Sequence, residues 1–169
     1  PDREYELQNA RIELRFDVEQ RKVLGKVKHT LVAMRDGLAR LDFDSVDLNI
    51  LGVQVDGKDV HFSTDAQKLH VDLAAPSKAG QKYQVLIRYD GKPKKGLFFI
   101  LPDKSRPNQT QQIWSQGEAE DTRYYIPIYD YPNDRTTWDM VLTVPRDWIT
   151  ISNGKLVGTT DAPGEMKTW

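Results

Sequence analysis

Apolar and polar residues alternate along most of this chain. Ile12, Leu14, Phe16 and Val18 alternate with Glu13, Arg15 and Asp17. That is the period of a strand with one wet face, and it predicts a strand over residues 4–18. A second strand is expected over 21–34, where Val23, Val27, Leu31 and Ala33 are apolar and Gly25 is a bulge candidate. Leu38, Leu41 and Phe43 mark a short third segment. Val53 and Val55 precede Asp56-Gly57, and Val60 and Phe62 follow it. Asp-Gly favours positive φ, so a hairpin turn is expected there.

Residues 68–73 and 82–90 each read as a strand, and the polar run 103–110 as a loop. Strands return at 111–117, 136–144 and 148–152. Asn153-Gly154 then predicts a second hairpin into Lys155–Val157, and 166–169 begins a further strand. No window keeps an apolar period of 3.6 for ten residues. The expected fold is all-β, a sandwich or a curved open sheet of roughly ten or more short strands. A chain of 169 residues suits one domain over 1–169.

Composition narrows the function classes. Charged residues make up 29% and the net charge is −1, without the basic excess usual in nucleic-acid binders. No apolar run approaches the ~20 residues of a membrane-spanning helix. There is no cysteine, so disulfides and thiolate metal sites are excluded. The start at Pro1, without an initiator Met, suits a piece of a longer product whose targeting peptide would lie out of view. No compartment is read from these features.

His29, His61 and His70 are far apart and outside any H-E-x-x-H arrangement, so structural roles are expected for them. No G-x-S-x-G elbow or glycine-rich phosphate loop is present. Glu118 and Asp130 could form a glycosidase acid pair, but isolated acid pairs are common in a chain with 25 acidic residues.

The richest stretch is Gln111–Pro145. It holds Trp114, Tyr124, Tyr125, Tyr129, Tyr131 and Trp138 beside Glu118, Glu120, Asp121, Asp130, Asp134 and Asp139. Packing aromatics mixed with carboxylates that resist burial suit a ligand-facing surface. Within it lies Gln116-Gly117-Glu118. If that piece is extended, Gln116 and Glu118 share one face, and Gly117 permits close backbone approach on the other. A carboxylate beside an amide suits a protonated amine with an adjacent polar group. The plainer reading, two solvent-facing residues on a strand, is favoured on spacing alone.

Ser115, Gln116, Glu118, Arg123, Pro127, Asp130 and Pro132 fit T-Q-x-E-x-x-x-x-R-x-x-x-P-x-x-D-x-P without a gap. Arg135, Trp138, Asp139 and Val144-Pro145 follow. This segment resembles the end of the amino-terminal domain of the gluzincin zinc aminopeptidases, the family of alanyl aminopeptidase and leukotriene hydrolase. Ile151-Ser152-Asn153-Gly154 resembles the family's continuation. Gly96-Leu97-Phe98 is similar to its earlier glycine-aromatic segment, with Phe99-Ile100 in place of the usual Tyr-Arg.

The resemblance implies a saddle-like, mostly antiparallel β domain leaning on a separate catalytic domain. It implies that Glu118 helps hold a peptide substrate's free α-amino group and that Gln116 lines the pocket for the first side chain. Arg123, Pro127, Asp130 and Pro132 are then architectural, with Asp130 accepting from nearby backbone or from Arg123. The expected docking patch includes Trp114, Tyr124 and Tyr125. Gly117 replaces the usual cysteine or aromatic, which alters how that wall packs. The family's G-x-M-E-N and H-E-x-x-H are absent here. Zinc, implied for the intact enzyme, and the catalytic groups would lie beyond Trp169, so no cofactor is expected in this segment. The alternative is a non-catalytic β-sandwich interaction module from a relative that has lost its zinc ligands.

Overall fold

A computed structural model of the chain describes residues 3–169. Strands β1 (Tyr5–Asp17) and β2 (Lys22–Ala33) make a long hairpin. Next come β3 (Arg40–Asp44), β4 (Leu48–Val55), β5 (Lys58–Asp59), β6 (Phe62–Thr64), β7 (Lys68–Asp72) and β8 (Lys82–Gly91). β9 (Leu97–Ile100) and β10 (Gln112–Ser115) pair with each other. β11 (Thr137–Pro145), β12 (Thr160–Ala162) and β13 (Met166–Thr168) complete the set. A 3₁₀ turn at Thr122–Tyr124 is the one helical piece among the described residues.

The fold is all-β and mostly antiparallel. A large sheet has the order β12-β13-β11-β1-β2-β8-β4-β5, and a three-stranded sheet the order β3-β7-β6. β1 and β11 run parallel. Leu41, Phe43, Leu69 and Val71 of the small sheet are fully buried with Ile12, Val27, Leu31, Val85 and Ile87 of the large one.

The hydrophobic alternation of β1 depends on a bulge. Tyr5 and Leu7 are buried, and then Ala10, Ile12 and Leu14. The register shifts between Leu7 and Asn9, so Gln8 is the extra residue. Without it the period of two would turn Asn9, Arg11 and Glu13 inward. Gly25, the expected bulge, lies in continuous register with Leu14 and Tyr89. Its glycine answers a different need, because a Cβ there would overlap the Tyr89 ring.

The Asp56-Gly57 hairpin forms as expected. Both residues take positive φ, 50° and 80°, and Val55 pairs with Lys58. The Asn153-Gly154 hairpin does not form, and residues 148–152 and 155–157 are not strands. A type I′ turn needs positive φ at both central residues, and here Gly154 alone has it. Ile151 and Val157 are 94% and 100% exposed, so this alternation packs on nothing within the chain. The turn lies instead at 163–165, with Gly164 and Glu165 at positive φ, and β13 takes the edge of β11.

The stretch from Thr122 to Asp130 crosses the joint between the sheets. Ile128 exchanges two backbone hydrogen bonds with Asp44, at 2.8 and 3.0 Å. The Val46 N–H donates to the Arg123 carbonyl. The Tyr89 hydroxyl donates to the Tyr125 carbonyl at 2.8 Å. Nε2 of His29 lies 2.8 Å from the Pro127 carbonyl, and the ring stacks on Phe43 at 4.9 Å. A carbonyl only accepts, so Nε2 carries the proton.

Arg123 fastens this stretch from one side. Its guanidinium lies 3.3 Å from Asp130, 2.9 Å from Glu120 and 3.7 Å from Asp44. Asp130 also accepts from the Arg123 backbone N–H at 3.0 Å, and Asp44 accepts from the Asp130 N–H at 3.0 Å. Asp130 therefore has the architectural role that the motif implies.

Burial pushes the His29 imidazole down to about 4, from an ordinary 6.5, against the opposing pull of the Pro127 carbonyl. The unfolded chain takes up that proton near 6.5. The contribution of His29 to stability is thus complete above pH 6.5 and lost as pH falls towards 4. His70 works in the opposite direction. Asp42, and then Asp65, raise it against burial, so its contribution is complete below its unfolded value and lost as pH rises through its folded one. His29→Gln keeps a donor and removes the titration. The wild-type stability advantage over this variant should shrink by about 2 kcal/mol between pH 7 and pH 5 in urea titrations, while His70 cancels in the difference.

Arg123→Ala removes the cation shared by the Asp44 and Asp130 carboxylates, whose side chains are only 2% and 10% exposed, and leaves Lys68 at 3.6 Å as the remaining cation beside Asp44. It should cost about 3–5 kcal/mol, read as a lower urea midpoint at unchanged slope. A loss below about 1 kcal/mol would show that the clamp is dispensable.

Candidate functional site

Strand β10 stops at Ser115. The Gln116 N–H still donates to the Gly96 carbonyl at 2.9 Å, and then the chain turns. The Asp121 N–H closes that turn on the Gly117 carbonyl at 3.0 Å. The Glu118–Ala119 peptide bond within it is cis. Gln116-Gly117-Glu118 is therefore not an extended run, and the shared-face argument does not apply to it. Two glycines make the turn fit. A Cβ on Gly96, at φ 73°, would overlap the Asp121 carbonyl, and one on Gly117 would crowd the Thr122 hydroxyl.

Gln116 and Glu118 are both exposed. Among the described residues the Glu118 carboxylate has no ion pair or hydrogen bond, whereas nearby Glu120 is committed to Arg123. The turn thus presents the exposed Glu118 carboxylate, uncommitted like that of half-buried Asp121, on a stem held by Arg123. Asp130 cannot partner Glu118 as a glycosidase acid, because it serves as acceptor to Arg123.

Two concavities flank this turn. An apolar groove of about 890 Å³ lies between the β9–β10 hairpin, the β1–β11 face and the 147–153 segment, with Phe16, Trp114, Met140 and Leu142 among its walls. A hollow of about 510 Å³ is walled by Tyr129, Tyr131, Trp138 and Arg135. Ser115 lines the groove and Ala119 the hollow, so Gln116–Glu118 is the piece of chain running from one to the other. Neither candidate residue lines either cavity. Of the expected docking aromatics, Trp114 is 47% exposed and stacked on Phe98 at 4.5 Å. Tyr124 is half-buried under Lys95. Tyr125 is buried, because its residue belongs to the stretch that crosses the sheet joint.

Sequence reading missed Asp44, and it placed Asp134 in the ligand-facing stretch without its structural role. Asp44 is 1% exposed although it follows core-facing Phe43, because the 122–130 stretch covers it. Asp134 accepts from the Leu7 N–H and pairs with Arg3 at 2.9 Å. Long-range pairing of this kind leaves no local signal, since Asp134 stands among Asn133, Arg135 and Thr136 and Asp44 near Asp42 and Ser45.

The donor set does not fit a zinc ion. Nε2 of His29 is spent on Pro127, its buried Nδ1 has no partner and no second ligand beside it among the described residues, and Nδ1 of His61 is spent on Asp72 at 2.7 Å. Asp42 and Asp65 take opposite nitrogens of His70, so the three do not converge on one point. Among the described residues no three His, Asp or Glu converge as a metal site. No helix among them is long and apolar enough to cross a membrane.

Comparison with known proteins matches this architecture to a family. The Peptidase M1 N-terminal domain model matches residues 3–169. Leucine aminopeptidase 2 of Yarrowia lipolytica is 24% identical over 163 residues, covering 94% of this chain. Leukotriene A-4 hydrolase of Xenopus laevis is 26% identical over 150 residues, covering 85%. The chain spans about 25% of the length of each of these relatives. Among solved structures, an M1 zinc metallopeptidase mutant from Deinococcus radiodurans, bound to a Tyr-Ser-Ala substrate, is 25% identical with a TM-score of 0.82. That match covers 98% of this chain and 38% of the other. Native yeast LTA4 hydrolase, at 17% identity and a TM-score of 0.73, shares the fold over 98% of this chain and 26% of its own. The chain belongs to the Peptidase M1 N-terminal domain family.

Proposed function

We propose that residues 1–169 form the single amino-terminal β domain of a zinc aminopeptidase that removes amino-terminal residues from peptides. In this reading Glu118 anchors the substrate's α-ammonium and Gln116 borders the pocket for the first side chain. The observation that carries it is the uncommitted Glu118 carboxylate, on a turn held by the Arg123–Asp130–Asp44 network. An unpaired carboxylate attracts a cation without first breaking a bond within its own domain. Support also comes from the Deinococcus relative, a zinc metallopeptidase bound to a Tyr-Ser-Ala substrate.

Among the described residues no three His, Asp or Glu converge, so on this reading zinc and the hydrolytic groups belong to a catalytic domain elsewhere in the polypeptide. That domain is the proposed partner of the β domain. The apolar groove beside exposed Trp114 is the surface best suited to it. What this chain contributes is position. Holding the amine fixes which peptide bond comes next along the substrate. A second reading, a non-catalytic interaction module, draws on one observation. Transcription initiation factor TFIID subunit 2 of Gallus gallus is 33% identical over 69 residues, 40% of this chain. Intact G-x-M-E-N and H-E-x-x-H downstream favour the enzyme, and degenerate forms favour the module.

Steady-state kinetics on the full-length protein test the anchor. Truncating one partner of an ammonium–carboxylate contact in a partly dry pocket costs about 2–5 kcal/mol. Glu118→Ala should therefore lower kcat/KM on an aminoacyl-anilide by roughly tens to thousands of fold, and Glu118→Gln by less, because its amide oxygen still accepts. Glu120→Ala is the comparison from the same turn. Wild-type efficiency in Glu118→Ala, with the N-acetylated substrate still rejected, would place the anchor elsewhere.

A further inference from the structure

We infer that the hollow beside the Glu118 turn is a subsite for a carboxylate on the downstream part of a peptide, with Arg135 as the residue that recognises it. The inference rests on the aminopeptidase reading and extends it to substrate class.

The hollow has preformed aromatic walls. The Tyr129 and Tyr131 rings meet at 5.1 Å, and the Tyr129 hydroxyl donates to the Asn133 side chain at 3.0 Å. Arg123 lies over the Tyr131 face at 5.0 Å, which fixes that ring from behind. Trp138 remains 44% exposed at the rim. Such walls take up backbone and side-chain methylenes while losing little freedom of their own.

The charges in the hollow leave one sign unanswered. Asp130 is spent on Arg123, and Asp134 on Arg3 and the Leu7 N–H. Arg135 lines the same space, is exposed, and has no ion pair or hydrogen bond among the described residues. A guanidinium with a free fork and no competing carboxylate matches a planar carboxylate. Ala119, the residue after the proposed amine anchor, forms part of the wall. A peptide held by its amine at Glu118 advances ~3.3 Å per residue, so its next few residues have the hollow within reach.

The carboxylate could be the terminus of a short peptide or an Asp or Glu side chain. Both offer the same chemistry, and two peptide pairs separate them. One pair is Ala-Ala-Ala as free acid and as amide. The other is amidated Ala-Ala-Glu-Ala against amidated Ala-Ala-Gln-Ala. An exposed ion pair is worth up to about fivefold in affinity. In the full-length protein, kcat/KM should favour the carboxylate member of at least one pair by about three- to fivefold, chiefly through KM. The preference should weaken at about 0.5 M salt. It should vanish in Arg135→Gln and return in part in Arg135→Lys. Glu118→Ala should lower both members of a pair together and leave their ratio unchanged, which separates this inference from the anchor. Calorimetric titration of the same peptides reads the ratio even if turnover is absent. No preference in the wild type for either pair, or a preference that survives in Arg135→Gln, overturns the inference.

Discussion

The Arg123 guanidinium is the interaction on which the candidate site depends. It is only 10% exposed, and a charge so placed has lost most of its hydration. It is tolerated because Asp130, Glu120 and Asp44 surround it and the Asp130 carbonyl accepts a further bond at 3.0 Å. These partners come from both sides of the 3₁₀ turn and from the end of β3. One side chain therefore ties the site segment to the small sheet and closes the 118–121 turn on itself. The same stretch caps the core from above, since His29 and Tyr89 reach buried carbonyls at Pro127 and Tyr125. Site geometry and core integrity are consequently one problem here, and a change at Arg123 touches both.

The fold was legible where a local pattern decides it. The alternation in β1, β2 and β8 is visible residue by residue, and Asp56-Gly57 supplies both positive-φ positions that its turn requires. It was not legible where a distant surface decides. Gln8 reads like any strand residue, yet the switch from buried Leu7 to buried Ala10 makes it the bulge. Gly25 is a glycine because Tyr89, far away in sequence, lies across it. Asn153-Gly154 has the composition of a hairpin turn, but the edge of β11 is taken by β13 and Ile149 to Val157 find no sheet. Composition proposes such a turn, and the neighbouring strand disposes of it.

The candidate site divides in the same way. Its members were legible from motif spacing, and Asp130 has the partner the motif implies. The backbone between them was not. Two residues at i and i+2 share a face only in a strand, and the chain leaves β10 one residue before Gln116. Glycines at 96 and 117 admit the turn that replaces the strand, and both are visible in the sequence only as glycines. Asp44 escaped notice because its burial is produced by a segment about eighty residues later that covers it.

Glu118 also indicates what this domain alone does not supply. In water, an ammonium gains little from an exposed carboxylate, because both ions are well hydrated and screened. The contact becomes strong only when a second surface excludes solvent from it. The present chain leaves Glu118 exposed, outside both concavities, between a hydrophobic groove and an aromatic hollow. On the proposed reading, the groove takes the second surface and the hollow takes the peptide. The β domain then furnishes a carboxylate on a held backbone turn, and the dryness that makes it an anchor comes from the domain packed beside it. This accounts for an anchoring acid that stands at the surface of its own domain, while Glu120, Asp130 and Asp134 near it are paired with arginines.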